Sequence, residues 1–127
     1  PENRGFAPAV NAGARHAAGR HLCLLNADVV VHPNWLAPMV RLIESAEDIG
    51  AVGNRYLNRL GRIDSVGSEF SYATGNFEHV LLDAPDAPSP ERDAVSERDA
   101  ITAACLLARR SAWEELGGLD EAYRVAY

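Results

Sequence analysis

Lysine is absent from this sequence, and aromatic residues are scarce at 7%. Arginine supplies the positive charge, and 12 basic residues set against 18 acidic ones give a net charge of −6. General nucleic-acid binders need clustered basic side chains to contact phosphates, so this balance argues against a nucleic-acid partner. The histidines share no metal-ligand spacing, and surface or capping roles suit them better.

Cysteine is nearly absent too. Cys23 and Cys105 each lie in a short apolar run, and neither has a second cysteine or a histidine at zinc spacing. We expect both to be buried free thiols in a reducing cytoplasm, with a disulfide between them as the less favoured alternative.

Long apolar runs are missing as well, and we expect no signal peptide. Although 47% of the residues are hydrophobic, no run approaches the roughly 20 residues of a membrane-spanning helix. The first residues, Pro1-Glu2-Asn3, are neither basic nor apolar, unlike a signal peptide. These features favour a cytoplasmic location. Because an initiator methionine is also lacking, we expect the chain to be part of a longer protein.

The sequence does contain short apolar runs that alternate with helical patterns. Strands are predicted at residues 22–26, 49–52 and 101–108, and helices at 8–18, 32–46 and, from a capping box, at 111–116. A hairpin turns near Gly61, and the acidic, proline-rich segment 83–99 predicts a mobile loop. Trp35 and Trp113 fall at helical core positions. The alternation predicts an α/β sheet with helices on its faces.

The strongest chemical signal is the stretch HLCLLNADVVV, residues 21–31. Its apolar run is short and ends abruptly in Asn26-Ala27-Asp28, as a buried strand would. A carboxylate just beyond a strand end, where ligands bind in open α/β sheets, can hold a hard divalent cation that shares phosphate oxygens. The alternative is that Asp28 merely begins a turn.

Two motifs resemble those of nucleotide-diphospho-sugar glycosyltransferases of family 2. The first reads ENRGFAPAVNAG from Glu2 and leads to HLCLLNAD; the family pattern is E-N-x-G-F-A-x-A-x-N-x-G, then a D-x-D-like motif. The second reads AACLLARRSAW from Ala103 and runs on to GGLDE; it is similar to G-A-C-L-L-x-R-R-x-x-F…G-G-F-D-E. The two motifs cover about half of the chain in the family's order.

The resemblance implies the GT-A fold, a Rossmann-like nucleotide-binding half joined to an acceptor-binding half. It also implies inverting transfer of a sugar from a nucleotide-diphospho-sugar donor to a glycan or lipid-linked acceptor. Mg²⁺ or Mn²⁺, held by Asp28, would neutralise charge on the leaving diphosphate. Asn26 replaces the first aspartate of the family's D-x-D motif, and its amide brings no charge.

The same resemblance implies binding or catalytic roles for individual residues. On the donor side they are Asn3, Gly5, Asn11, Gly13, Asn26, Ala27 and Asp28. On the acceptor side they are Ala103, Ala104, Gly118, Asp120 and Glu121, with Asp28 and Asp120 as the catalytic residues. Structural alternatives remain open: a loop or solvated helix for the first two asparagines, helix packing for the two donor-side glycines, and a turn or N-cap for Asp120 and Glu121. Arg109 and Arg110 are expected to be solvated rather than bound to phosphate.

The resemblance divides the chain into a donor and metal half at 1–54, a variable hairpin and mobile loop at 55–100, and an acceptor-side strand and helix at 101–127. The family's base-binding strands and general base match nothing here, so we expect the middle of a glycosyltransferase domain, truncated at both ends. Further expectations are a homo-oligomer formed through unpaired strand edges and peripheral association of the parent protein with the inner face of the membrane.

Two alternatives stay open. The first is a non-catalytic α/β module that binds a nucleotide or a partner protein without transferring anything. The second is a different enzyme, a nucleotidylyltransferase or a hydrolase that uses a carboxylate pair. A nucleotidylyltransferase would carry a glycine-rich, basic phosphate loop, which is not found in the sequence, and a carboxylate pair cannot be recognised from sequence alone.

Overall fold

A computed structural model describes residues 4–123 of the chain, except for the side chains of residues 91 and 92. The first half contains α1 (Phe6–His16), β1 (His21–Leu25), α2 (Leu36–Ser45), β2 (Ala51–Gly53), β3 (Tyr56–Leu57) and β4 (Ile63–Ser65). The second half contains β5 (Ser68–Ser71), β6 (Asn76–His79), α3 (Pro90–Asp93), β7 (Cys105–Arg109) and α4 (Arg110–Leu116). The predicted mixed α/β architecture is confirmed.

The main sheet has three strands in the order β1-β7-β2. β7 is antiparallel to both neighbours, with Leu22 opposite Ala108 and Val52 opposite Leu107. β1 and β2 therefore run in the same direction on either side of a strand that comes much later in the sequence. Hairpins β3–β4 and β5–β6 form two further two-stranded sheets.

Both faces of the main sheet contain buried apolar side chains. On one face α2 packs its apolar stripe against the strands, and Met39, Ile43, Val52 and Leu107 form a buried cluster. Trp35 packs against this cluster, which confirms its predicted place in the core. On the other face the buried residues are Leu22, Leu24 and Ala108. The sheet is thus the middle layer of the fold.

Element boundaries differ from the prediction where local backbone geometry intervenes. α2 begins at Leu36 rather than near His32, and Asn34 before it has a φ of 62° that no α-helix contains. α4 begins at Arg110, and no side chain caps it, so the predicted capping box at Ser111 is wrong. The β3–β4 hairpin does turn at Gly61, whose φ is 71°.

The two cysteines have different environments. Both are free thiols, but Cys23 is exposed while Cys105 is buried. Side chains alternate along β1, so burying Leu22 and Leu24 on one face directs Cys23 to the other. The expectation of two buried thiols is therefore wrong for Cys23 and confirmed for Cys105.

Arg109 ends β7 and Arg110 begins α4. Each side chain bonds to backbone carbonyls at the end of a helix instead of being solvated. Arg109 donates to the carbonyl oxygens of Ile43, Ala46 and Ile49 around the end of α2. Arg110 donates to the carbonyl oxygens of Ala17 and Gly19 beyond the end of α1, at 2.9 and 2.6 Å. Carbonyls at helix C-termini lack partners within the helix, and a cation there is favourable. The expectation that both arginines are solvated is wrong.

The segment 83–99 is connected to the β3–β4 region by ion pairs. Arg55 lies 3.3 Å from Asp86 and 3.0 Å from Asp93, and Arg62 lies 2.7 Å from Asp83. Each such surface pair contributes at most about 1 kcal/mol, because solvent screens the charges. The mobility of this loop stays a prediction.

Tyr56 fastens the β3–β4 hairpin to the central strand. Its hydroxyl donates to the carbonyl oxygen of Cys105 at 2.8 Å and accepts from the N–H of the same residue. Burial raises the pKa of Tyr56 to about 12, and the nearby Cys105 thiol adds to the rise. The phenol is therefore neutral, and able to donate, at any ordinary pH.

Replacing Tyr56 with phenylalanine should destabilise the fold by about 1–2 kcal/mol, because the Cys105 peptide groups lose their partner. Urea unfolding measures the effect, and Tyr72→Phe is the matched control since Tyr72 is 93% exposed. Folding raises the pKa of Tyr56 from its ordinary value of 10. Its contribution is fully present below pH 10 and is lost as the pH rises towards 12. A gap between wild type and Tyr56→Phe that does not narrow above pH 10 would contradict the assignment.

Candidate functional site

The turn after β1 carries the predicted donor-side residues. The N–H of Asn26 donates to the carbonyl oxygen of Ala104 at 2.8 Å, and the N–H of Val29 donates back to Asn26 at 3.2 Å. Ala27 and Asp28 are exposed at the tip of this turn. The structure thus brings the predicted donor-side and acceptor-side segments into direct backbone contact at one end of the sheet.

Asn11 forms a second contact between the two sides. It lies in α1, is only 7% exposed, and donates to the carbonyl oxygen of Leu119 at 2.8 Å and to a Glu121 carboxylate oxygen at 3.0 Å. The side-chain amide oxygen of Asn11 accepts from the backbone N–H of Leu119 at 2.9 Å. A solvated helix position, the alternative considered for Asn11, is therefore wrong; a contact with the donor stays a prediction.

Gly118 makes this approach possible. Its φ is 85°, and a Cβ atom added there would lie 2.5 Å from the Asn11 side-chain oxygen. Gly117, with a φ of 77°, ends α4 in the left-handed conformation, and an added Cβ would meet open space. Gly118 therefore has a packing requirement that Gly117 lacks.

Asp120 and Glu121 follow this glycine pair, and both are exposed. One Asp120 carboxylate oxygen accepts from the N–H of Ala122 at 2.8 Å, which is the turn role considered for it. The turn role occupies one of its two oxygens. The assignment of Asp120 to catalysis stays a prediction.

The remaining predicted donor-side residues are Gly5, Gly13 and Asn3. Gly5 precedes α1 with a φ of 91°, a conformation that suits glycine. A Cβ atom at Gly13 would meet nothing within 4 Å, so helix packing does not require this glycine. Asn3 lies outside the described residues.

Two open clefts are present in the described part of the chain, and Asn11 and Glu121 line the smaller of them. The smaller, of about 580 Å³, lies between α1 and α4. It is lined by Asn11, Ala14, Arg15, Arg110, Trp113, Glu114, Gly117 and Glu121. The larger, of about 850 Å³, lies between β2 and residues 93–102 and includes Arg55 and Arg98. Asp28 lines neither cleft.

Arg15 and Trp113 are residues of the smaller cleft that sequence reasoning did not assign to a site. For Arg15 the signal is its spacing from Asn11, because residues three and four apart, such as Asn11, Ala14 and Arg15, share one face of a helix. No comparable spacing identifies Trp113, which reaches the cleft from the other helix.

Among the side chains that the structure describes, which exclude that of residue 91, no three His, Cys, Asp or Glu cluster closely enough to hold an ion. A single exposed carboxylate, Asp28, is nevertheless compatible with Mg²⁺ or Mn²⁺. Mg²⁺ commonly keeps several waters and binds one or two carboxylates together with substrate phosphates. The residues present therefore fit a metal that arrives with a diphosphate.

Comparison with known proteins shows the family. The profile of glycosyl transferase family 2 matches residues 1–95 of the 127-residue chain. This chain belongs to glycosyl transferase family 2. Its match takes in the first motif and the turn at Asp28, whereas Gly118 and Glu121 lie beyond residue 95.

Two curated relatives align with most of this family 2 chain. It is 35% identical over 124 residues to the O-antigen biosynthesis protein RfbC of Myxococcus xanthus, an alignment that covers 93% of the chain and 10% of the relative. It is 32% identical over 114 residues to the uncharacterized protein y4gI of Sinorhizobium fredii, covering 87% of the chain and 12% of that protein. The chain thus spans about a tenth of their length. No solved structure matches it.

Within the described part of the family 2 chain, none of the helices combines the length and apolar character needed to cross a membrane.

The two glycines after α4 provide a matched pair of substitutions. Gly118→Ala should destabilise the protein more than Gly117→Ala, because both introduce strain at positive φ but only residue 118 presses on Asn11. We expect about 1 kcal/mol for Gly117→Ala from strain alone and at least about 2 kcal/mol for Gly118→Ala. Thermal or urea unfolding of the two variants measures the difference. Equal effects would contradict the packing of Gly118 against Asn11.

Proposed function

We propose that the protein is an inverting glycosyltransferase with the GT-A fold. It transfers a sugar from a nucleotide-diphospho-sugar donor to a glycan or lipid-linked acceptor. The observation that carries this proposal is the meeting of the two motifs: Asn11 of the first bonds to Leu119 and Glu121 of the second, across 108 and 110 residues of sequence. Family membership supports the reaction class.

On the donor side, the turn after β1 presents polar groups at the end of a sheet strand, where ligands bind in α/β folds. Asp28 would hold Mg²⁺ or Mn²⁺, which would neutralise the negative charge that builds on the departing diphosphate. Asn26 and Ala27 complete the turn, and the Asn26 side-chain amide can bind a ribose hydroxyl without adding charge. The Asn26–Ala104 backbone bond keeps this turn beside the acceptor-side segment.

On the acceptor side, Asp120 and Glu121 supply exposed carboxylates. Carboxylate oxygens accept hydrogen bonds from hydroxyl groups, which are the nucleophiles of a glycan acceptor. Ala103 and Ala104 are partly buried where the chain enters β7, and they would border the path between donor and acceptor. The similarity to an O-antigen biosynthesis protein of Myxococcus xanthus supports a polysaccharide product.

Replacing Asp28 with alanine tests the donor side. Calorimetric titration of the full-length protein with UDP- and GDP-linked sugars should show binding that Mn²⁺ strengthens, and the substitution should remove that dependence. We expect a loss of affinity of at least about tenfold in the presence of Mn²⁺, corresponding to about 1.4 kcal/mol. Activity should fall in parallel.

The matched control is Asp64→Ala, because Asp64 is also an exposed aspartate but lies on β4, away from this turn. The metal assignment would be refuted if donor affinity does not depend on Mn²⁺ and is unchanged by Asp28→Ala. Donor binding without any sugar transfer by the full-length protein would instead indicate the non-catalytic nucleotide-binding module.

A further inference from the structure

We propose that Asn11 is a positioning residue: its side chain holds the turn formed by residues 118–121 and thereby sets the acceptor side of the site relative to the donor side. The inference rests on the proposed function and gives a different role to Asn11, which the family resemblance led us to expect among the donor contacts. It follows from how the Asn11 amide is used within the chain.

Both donor hydrogens of the Asn11 side chain are used inside the protein. A primary amide has two donor hydrogens and one acceptor oxygen. The nitrogen donates to the carbonyl oxygen of Leu119 and to a Glu121 carboxylate oxygen, and the oxygen accepts from the N–H of Leu119. With 7% of the residue exposed, Asn11 has no further hydrogen to offer a nucleotide-sugar.

The pair of bonds to Leu119 is specific for an amide. Both the N–H and the carbonyl oxygen of one backbone residue are satisfied by one side chain, much as a neighbouring strand would satisfy them. An aspartate can accept but cannot donate, and an alanine can do neither. Gly118 completes the fit, because a side chain there would collide with the Asn11 oxygen.

The third bond fixes the direction of a carboxylate. Asn11 uses one oxygen of Glu121 at 3.0 Å, while Glu121 remains exposed at the mouth of the smaller cleft. A carboxylate held at one oxygen keeps a defined orientation and can meet an acceptor hydroxyl with little further loss of side-chain entropy. Because Asn11 belongs to α1 and Glu121 follows α4, displacement of either helix moves the acceptor contact.

The charged groups around the bond are balanced. Arg15, Arg110 and Glu114 line the same cleft, and Arg110 lies 3.7 Å from Glu114. An Asn11→Asp change would therefore place a new negative charge directly against Glu121 and would remove both donated bonds. Asn11→Asp is therefore a close steric match that removes the two donated bonds and keeps only the oxygen that accepts from Leu119.

The test uses Asn11→Ala and Asn11→Asp in the full-length protein, with Asn76→Ala as the matched control. Asn76 is an exposed asparagine on β6 whose amide bonds only to nearby Thr74. We expect both Asn11 variants to lower kcat/KM for the acceptor by about tenfold or more, since a misplacement of about 1 Å can cost about 100-fold. The donor dissociation constant should stay within about twofold of wild type.

Hydrogen exchange provides a readout that does not need activity. The amide of Leu119 donates to the side-chain oxygen of Asn11, so exchange across residues 118–122 should speed up by about tenfold or more in Asn11→Ala and stay unchanged in Asn76→Ala. Asn11→Asp keeps an oxygen that can accept from this amide and should show a smaller increase. If the wild-type protein transfers no sugar, the proposed function fails, and this readout still decides whether Asn11 holds the turn.

Glu121 gives a second route in case Asn11→Ala does not fold. Glu121→Gln removes the charge but keeps an oxygen that can accept from Asn11, so it should raise acceptor KM less than Glu121→Ala, for which we expect a rise of about tenfold. The proposal is overturned if the Asn11 variants weaken donor binding while acceptor KM stays constant. It is also overturned if exchange at residues 118–122 is unchanged.

Discussion

The antiparallel pairing of β7 with both β1 and β2 is the interaction on which the rest of the structure depends. Residues before and within β7 connect to elements from the first half of the chain. Ala104 accepts from Asn26, Cys105 bonds to Tyr56, and Leu107 packs in the cluster beneath α2. Without this central strand, β1 and β2 would have no common partner, and the turn carrying Asp28 would lose its neighbour.

The chain without lysine uses arginine as a structural donor. Arg109 and Arg110 leave β7 in succession and bind backbone carbonyls around the ends of α2 and α1. A guanidinium group suits this task because it presents five N–H donors in a planar array and can bond to several oxygens at once. Adjacent residues, the last of β7 and the first of α4, thus hold two helices, which couples the positions of both helices to the sheet.

Asn11 adds a coupling of a different kind. The sheet joins the two halves through backbone bonds, whereas Asn11 joins them through one buried side chain in the middle of α1; Arg110 bonds to carbonyls beyond the C-terminal end of the same helix. In a family 2 glycosyltransferase the donor and acceptor must approach within bonding distance, and rate depends on their relative placement. α1, held at its middle by Asn11 and beyond its C-terminal end by Arg110, would help to fix that placement in the transfer that we propose.

The sequence by itself determined the family, the mixed α/β class and most elements, because apolar periodicity reports local structure and ENRGFAPAVNAG is a specific motif. The family resemblance also named Asn11, Gly118 and Glu121 as candidate site residues, and those roles stay predictions. Only the tertiary structure decided that these residues bind one another, that Arg109 and Arg110 hold helix ends, and that Cys23 is exposed. Local sequence patterns do not show which distant backbone N–H and C=O groups lack a hydrogen-bond partner. Polar side chains bond to such unpaired groups, so their contacts depend on the tertiary structure.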